Sequence, residues 1–333
     1  GKLRNGTIEA LNYSRNILST VKLKIGSSYM IDHFLNGVLP IFSIGALGFL
    51  LGKRKIFDFE SAMILNKYVM LIGVPSLIFL LLSKAPINDF NVKMLSGYFF
   101  TEVVLYLTGF LIAKLIFNRD TKEAALIGLC IALTNHVLFV LPIAETLFGE
   151  KYAKPIISII TMDGLILFAG TIILLDFLET QDLSVTETLK KIFLNPPLIA
   201  VLMGLAFGLS RSKIPVGIEV FLNAVAVSAS PVLLFALGII LSKPYKGANL
   251  ALPLTMTFIK LIIHPVFAGF IFTAALALPT EFKNPAIMTA AAPCGLMSFM
   301  LALNYKVKVD VIARAILISS VGSTITISLA AAL

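Results

Sequence analysis

Asn135 and His136 stand side by side in the middle of an apolar run, Ala124 to Gly149, with Pro142 beyond them and Leu147-Phe148-Gly149 at its end. An amide or imidazole without a partner is expensive in hydrocarbon, so both need one. The Asn135 amide can donate to a carboxylate, and His136 can bind substrate or carry a proton; for each, the alternative is a hydrogen bond to a neighbouring helix. A second place of this kind is Ala290-Ala291-Ala292-Pro293-Cys294-Gly295. There a proline removes an amide donor, and small residues let two backbones approach closely.

Other residues could act at a distance from these. Asp163, between Met162 and Gly164, is an acid in an apolar run with no evident intramembrane acidic partner. A carboxylate so placed is a proton or sodium site by default. Lys260 and His264 are one helical turn apart and share a face; Lys260 can attract an anion or snorkel to the interface. Asn66 and Asn223, with Ser228 and Ser230, flank Pro75 and Pro231 and can line a cavity or pack helices. No metal-ligand spacing, nucleophile elbow or cysteine framework appears, and Cys130 and Cys294 both fall in apolar runs. Neither a metal nor a cofactor is implied.

The elements that must hold these residues follow from composition. Of 333 residues, 58% are hydrophobic and 14% charged, with a mean hydropathy of +0.96; soluble domains carry about a quarter charged residues. Most segments are apolar on every face, so lipid is the solvent that fits. The +9 formal charge sits in short clusters between apolar runs, not on one basic face, which argues against a nucleic-acid partner. Ten spans follow, at residues 35–52, 62–83, 95–117, 124–148, 154–178, 196–212, 218–242, 249–278, 285–304 and 310–331. Residues 1–29 differ in composition and are set apart as a leader, either foreign to a chain that starts at Met30 or lying at the membrane interface.

The polar stretch 179–195 divides the chain into a first repeat, 30–178, and a second, 196–333. Ala46-Leu-Gly-Phe-Leu-Leu-Gly-Lys-Arg-Lys-Ile56 matches Gly204-Leu-Ala-Phe-Gly-Leu-Ser-Arg-Ser-Lys-Ile214, and Pro75-Ser-Leu-Ile-Phe79 resembles Pro231-Val-Leu-Leu-Phe235. The offsets agree: 214 − 56 is 158, 223 − 66 for the preceding asparagines is 157, and 231 − 75 is 156. Five spans per repeat is an odd number, so the two copies must enter the membrane from opposite sides. Such inverted repeats place a substrate site near the midplane, where one helix in each half is interrupted. Spans four and nine, with their prolines, are those helices. Their half-helix N-termini, with free amides and positive dipole ends, suit a carboxylate. The odd-numbered connections carry fourteen Lys and Arg against seven in the even ones, which puts both termini outside by the positive-inside rule, although the basic leader opposes this.

With those elements in order, the chain resembles the auxin efflux carrier family, which includes the plant PIN-type carriers and many bacterial carriers and is related to the bile acid sodium symporters. The resemblance rests on Asn195-Pro196-Pro-Leu-Ile-Ala200 with Gly204, Lys260-Leu261 with His264-Pro265, Asn135 to Pro142 with Leu147-Phe148-Gly149, and Ala292-Pro293, and spans about residues 34–331. It implies an all-α membrane protein of ten transmembrane helices in two inverted five-helix repeats, with a scaffold and a transport domain and with helices four and nine crossing at prolines. Pro142 and Pro293 match the crossing prolines, and Asn135 the polar residue before the first crossing. The short central connection resembles bacterial members, for which the family suggests small carboxylates such as malate or malonate. Cys294 stands where plant members have an asparagine.

The expected function is therefore alternating-access transport of a small organic anion, such as malate, malonate or an auxin-like acid. The bacterial inner membrane is its expected place. Coupling to protons or sodium is left open, as is assembly into a homodimer. A membrane sensor that binds the same ligand without moving it is the alternative. An intramembrane hydrolase would need a nucleophile with its base, or two neighbouring acids, and the sequence offers neither.

Overall fold

The computed structural model describes residues 39–331 except 86, 142, 145–148, 181–189, 191–193 and 244–248. The leader 1–29, Pro142 and most of the connection 179–195 thus lie outside the described residues.

Among the described residues the chain is all helical, with a single isolated bridge between Thr134 and Cys294 in place of any strand. In chain order the helices are α1 (Leu39–Lys53), α2 (Phe59–Ser83), α3 (Val92–Ile116), α4 (Thr121–Ala132), α5 (Glu150–Met162, running on through Asp163–Phe168 to Ala169–Thr180), α6 (Pro196–Ser210), α7 (Val216–Leu241), α8 (Ala251–Ala275), α9 (Thr280–Ala290), α10 (Met297–Asn304) and α11 (Asp310–Ala331). Six of them, α2, α3, α5, α7, α8 and α11, are long and apolar enough to cross a membrane. The first and sixth expected spans are shorter apolar helices, and the fourth and ninth are interrupted at Leu133–Asn135 and Ala291–Leu296. Asp58, Asn91 and Asp120 start α2, α3 and α4 by accepting, each at 2.9 Å, from the amide three residues on, which satisfies a donor that a helix start leaves open.

An interval close to the 156–158 residues found in the sequence separates several element starts. Val92 and Ala251 open α3 and α8, and Thr121 and Thr280 open α4 and α9, 159 residues apart in both cases (251 − 92, 280 − 121). The π-helical ends of α3 and α8, Ile112–Ile116 and Ile271–Ala275, repeat the same interval (271 − 112).

Packing sorts the helices into two groups. In one, α1 lies on α7 and α6 on α2, while α7 also packs on α2. Backbones approach closely there: a Cβ on Gly238 would fall 2.0 Å from the Gly45 carbonyl oxygen, and one on Gly48 would fall 2.2 Å from that of Phe235. Without a hydrophobic drive between helices in lipid, such small-residue contact supplies the dispersion energy of association. The second group holds α3, α4, α5, α8, α9, α10 and α11, with α4 against α3 and α10, α9 against α5 and α8, and α11 against α8. Its centre is an alanine-rich stretch, Ala290 to Ala292, that excludes solvent almost completely.

Candidate substrate site between the helix groups

The two interrupted segments meet back to back. Thr134 bridges Cys294, the Asn135 amide donates to the Pro293 carbonyl at 3.1 Å, and the Gly295 amide to that of Cys130 at 3.3 Å. The Cys294 amide donates to Ser319 Oγ at 3.1 Å, and Thr134 Oγ1 to the Thr289 carbonyl at 3.4 Å. Backbone groups freed by the breaks are thereby satisfied within protein, the condition for irregular chain at membrane depth. Contact this close requires Gly295: a Cβ there would lie 2.7 Å from the Leu133 carbonyl oxygen. Pro293, Cys294 and Gly295 therefore hold the crossing together, and Cys294 also packs its thiol against Cys130.

A cavity opens beside this crossing, between the two helix groups. Leu133 to His136, Asp163, Gly164, Leu296 and Met297 face it from one group, and Val69, Val74, Leu77, Ile78, Ser230 and Leu233 from the other. Asn135, His136, Asp163 and Ser230 thus converge on one space. The amides of Asn135, Cys294 and Gly295 are already bonded, so a carboxylate entering here would meet the first turns of the segments that follow, at His136 and at Leu296–Met297. His136 Nε2 lies 2.8 Å from Asp163 Oδ2, but off the line of a hydrogen bond, and neither Asp163 oxygen has a donor.

Lys260 does not snorkel. It is fully buried, and its ammonium reaches the Ala132 carbonyl at 3.1 Å, Thr134 Oγ1 at 2.6 Å and His264 Nδ1 at 3.2 Å. A cation is thereby placed at the carbonyl end of α4, where it complements the helix dipole. The other ring nitrogen of His264 lies 3.4 Å from Thr101 Oγ1. Both residues stand behind Thr134, away from the cavity wall, so lining it is not their part. His136, Asp163 and Lys260 each lie in a π-helical segment, at His136–Val140, Asp163–Phe168 and Ile259–Ile263. Wide turns of this kind re-aim side chains and recur at functional places.

Two further expectations are corrected, for Asn223 and Asp163, and for Asn66 the helix-packing alternative is the one found. Asn223 is exposed and donates its amide to the Glu219 carbonyl of its own helix at 2.9 Å, so it does not line the cavity. Asn66 is buried, but reaches from α2 to the Met300 carbonyl of α10 at 3.3 Å, a link between the helix groups. Asp163 does have an acidic partner: the Glu102 carboxyl of α3 lies within hydrogen-bonding reach of it. Glu102 is fully buried, and neither of its oxygens has a partner. Its signal was present in the sequence as an acid inside the expected span 95–117.

Comparison with known proteins places this arrangement. The family described as "Membrane transport protein" matches residues 33–187 and 180–331. The chain belongs to that family. It is 27% identical over 303 residues to an "Uncharacterized transporter" of Methanocaldococcus jannaschii, covering 88% of this chain and 96% of the relative. It is 23% identical over 300 residues to a Rhizobium meliloti protein named "Putative malonate transporter", covering 87% and 92%. With "Uncharacterized transporter YfdV" of Escherichia coli K12 it shares 23% over 316 residues, covering 89% and 96%. This is the family of auxin efflux carriers that the motifs resemble, and the chain is a multi-pass membrane protein of transporter kind.

Proposed function

We propose that the chain is a secondary transporter for a small organic anion, a carboxylate such as malonate or malate, that exposes one site alternately to the two sides of the membrane. The observation that carries this reading is the cavity itself. It lies between two helix groups, one of them built around the crossing of two interrupted helices, so a shift of one group against the other changes which side the cavity opens to. First-turn amides at His136 and Leu296–Met297, with the side-chain amide of Asn135, supply donors for a carboxylate. The name of the Rhizobium meliloti relative is in keeping with a dicarboxylate.

In this reading the ten spans form two inverted copies of five in the cell membrane, with both termini outside, and the chemistry needs no cofactor beyond a coupling ion. The test is uptake of labelled malonate by proteoliposomes preloaded with unlabelled malonate. Saturable counterflow is the expected result. Saturable binding with no flux under any gradient would instead identify a sensor.

A further inference from the structure

The Glu102 carboxyl lies within hydrogen-bonding reach of Asp163, in a place where no donor in hydrogen-bonding geometry meets either group. Both are buried, one on α3 and one on α5, and all four oxygens lack a hydrogen-bond partner. The charged and titratable groups around them are already engaged or misdirected. The Lys260 Nζ of α8 has three donors, and its three contacts are the Ala132 carbonyl, Thr134 Oγ1 and His264 Nδ1. His136, on the turn after the first break, touches Asp163 without aiming an N–H at it. Tyr98, one turn before Glu102 on α3, is buried with its hydroxyl unpartnered.

Two adjacent carboxylates repel one another, whereas a carboxyl beside a carboxylate makes one short, strong hydrogen bond. One added proton would also balance the pair against Lys260: two carboxylates and one ammonium sum to −1, and the proton brings this to zero. Asp163 faces the cavity in which the anion is proposed to sit, beside Asn135 and His136. An anion entering there meets a group of three, the two acids and Lys260, whose net charge is −1 without the proton and zero with it.

We propose that Glu102 and Asp163 form a shared one-proton site, and that its proton is taken up with the substrate anion and released with it, which makes the carrier an anion–proton symporter. The coupling rests on the carrier reading above; the shared proton does not. No bond is broken in the cycle except that between carboxyl oxygen and proton, which passes to water on the receiving side.

The test has two arms on the purified full-length protein. In the first, malonate affinity is measured across the pH range in which malonate is fully ionised. One linked proton predicts that affinity falls about tenfold for each unit of rising pH, and that Glu102→Gln flattens this dependence because its amide donates to Asp163 permanently. A flat profile in the wild-type protein, or an unaltered slope in Glu102→Gln, overturns the coupling, as does a slope set by sodium and not by pH. The second arm needs no ligand. Infrared difference spectra between wild type and either Glu102→Gln or Asp163→Asn, recorded at acid pH below the range of the affinity measurements so that the site is loaded without an anion, should show one buried protonated-carboxyl band, present in wild type and missing from both variants. Absence of that band from wild type overturns the shared site. If malonate does not bind at any pH but the band is present, the substrate assignment has failed and the proton site stands.

Discussion

Lys260 Nζ lies 2.6 Å from Thr134 Oγ1 and 3.1 Å from the Ala132 carbonyl oxygen, so a cation on α8 closes the carbonyl end of the interrupted helix α4. The last carbonyls of a helix need partners, and at membrane depth water is not available to provide them. Lys260 therefore belongs to the construction of the crossing as much as to its electrostatics.

Lys260→Met keeps the length of the side chain and removes its donors. Ala132 and Thr134 then lose a buried partner, which should destabilise the protein by about 1–3 kcal/mol. Loss of the cation beside Glu102 and Asp163 adds to this. Thermal unfolding in detergent should show a clear drop in midpoint, and a midpoint equal to wild type would mean that the crossing closes without Lys260.

Close backbone contact between α1 and α7 gives a second expectation. An alanine at Gly238 would place its Cβ 2.0 Å from the Gly45 carbonyl oxygen, so Gly238→Ala must push the helices apart and should be destabilising by about 1–3 kcal/mol. Gly217 lies in the same helix with nothing within 4 Å of its added Cβ. Gly217→Ala should be neutral or stabilising by up to about 1 kcal/mol. Equal melting behaviour of the two variants would show that the helices separate easily.

Asn135 and Asn223 separate a cavity-facing amide from an outward one. Asn135→Ala should weaken malonate binding about ten- to a hundredfold, the effect of one hydrogen bond to a charged acceptor, with little change in melting temperature. Asn223→Ala removes a bond internal to an exposed helix face and should leave affinity unaltered. Isothermal titration on both variants checks this, and unchanged affinity in Asn135→Ala would remove that residue from the site.

The interruption at 291–296 was legible because a proline and a run of small residues in an apolar segment have few other uses, whereas the one at 133–135 lies seven residues before Pro142 and was marked only by the polar residues Asn135 and His136. Most expected span ends also fall within a few residues of the helix ends, since polar N-caps such as Asp58, Asn91 and Asp120 mark them. What the sequence left ambiguous is orientation around the helix axis. Asn66 and Asn223 align between the two halves of the sequence, yet α2 buries the first and α7 exposes the second. A match between two sequence segments carries position along the chain, but each segment meets different neighbours. Lys260 was ambiguous for a related reason: burial or snorkelling depends on which carbonyl lies opposite, and Ala132 is 128 residues away in sequence. Glu102 and Asp163 come together from separate helices whose periodicity gives no hint of their register.

Asn66 offers the last prediction because its bond crosses from one helix group to the other. Its Nδ2 donates to the Met300 carbonyl of α10, while Tyr68 and Ser228, 2.8 Å apart, join α2 to α7 inside a single group. If the groups move against one another during transport, the Asn66 bond exists in one state and is lost in the other, so removing it shifts the balance between states by the net worth of a hydrogen bond, about 0.5–1.5 kcal/mol. Asn66→Ala should therefore change the malonate counterflow rate roughly two- to tenfold. Ser228→Ala deletes a bond that both states keep and should leave that rate alone. Identical rates for wild type and Asn66→Ala, with Ser228→Ala as reference, would mean that α2 and α10 stay joined throughout the cycle and that the moving boundary lies elsewhere.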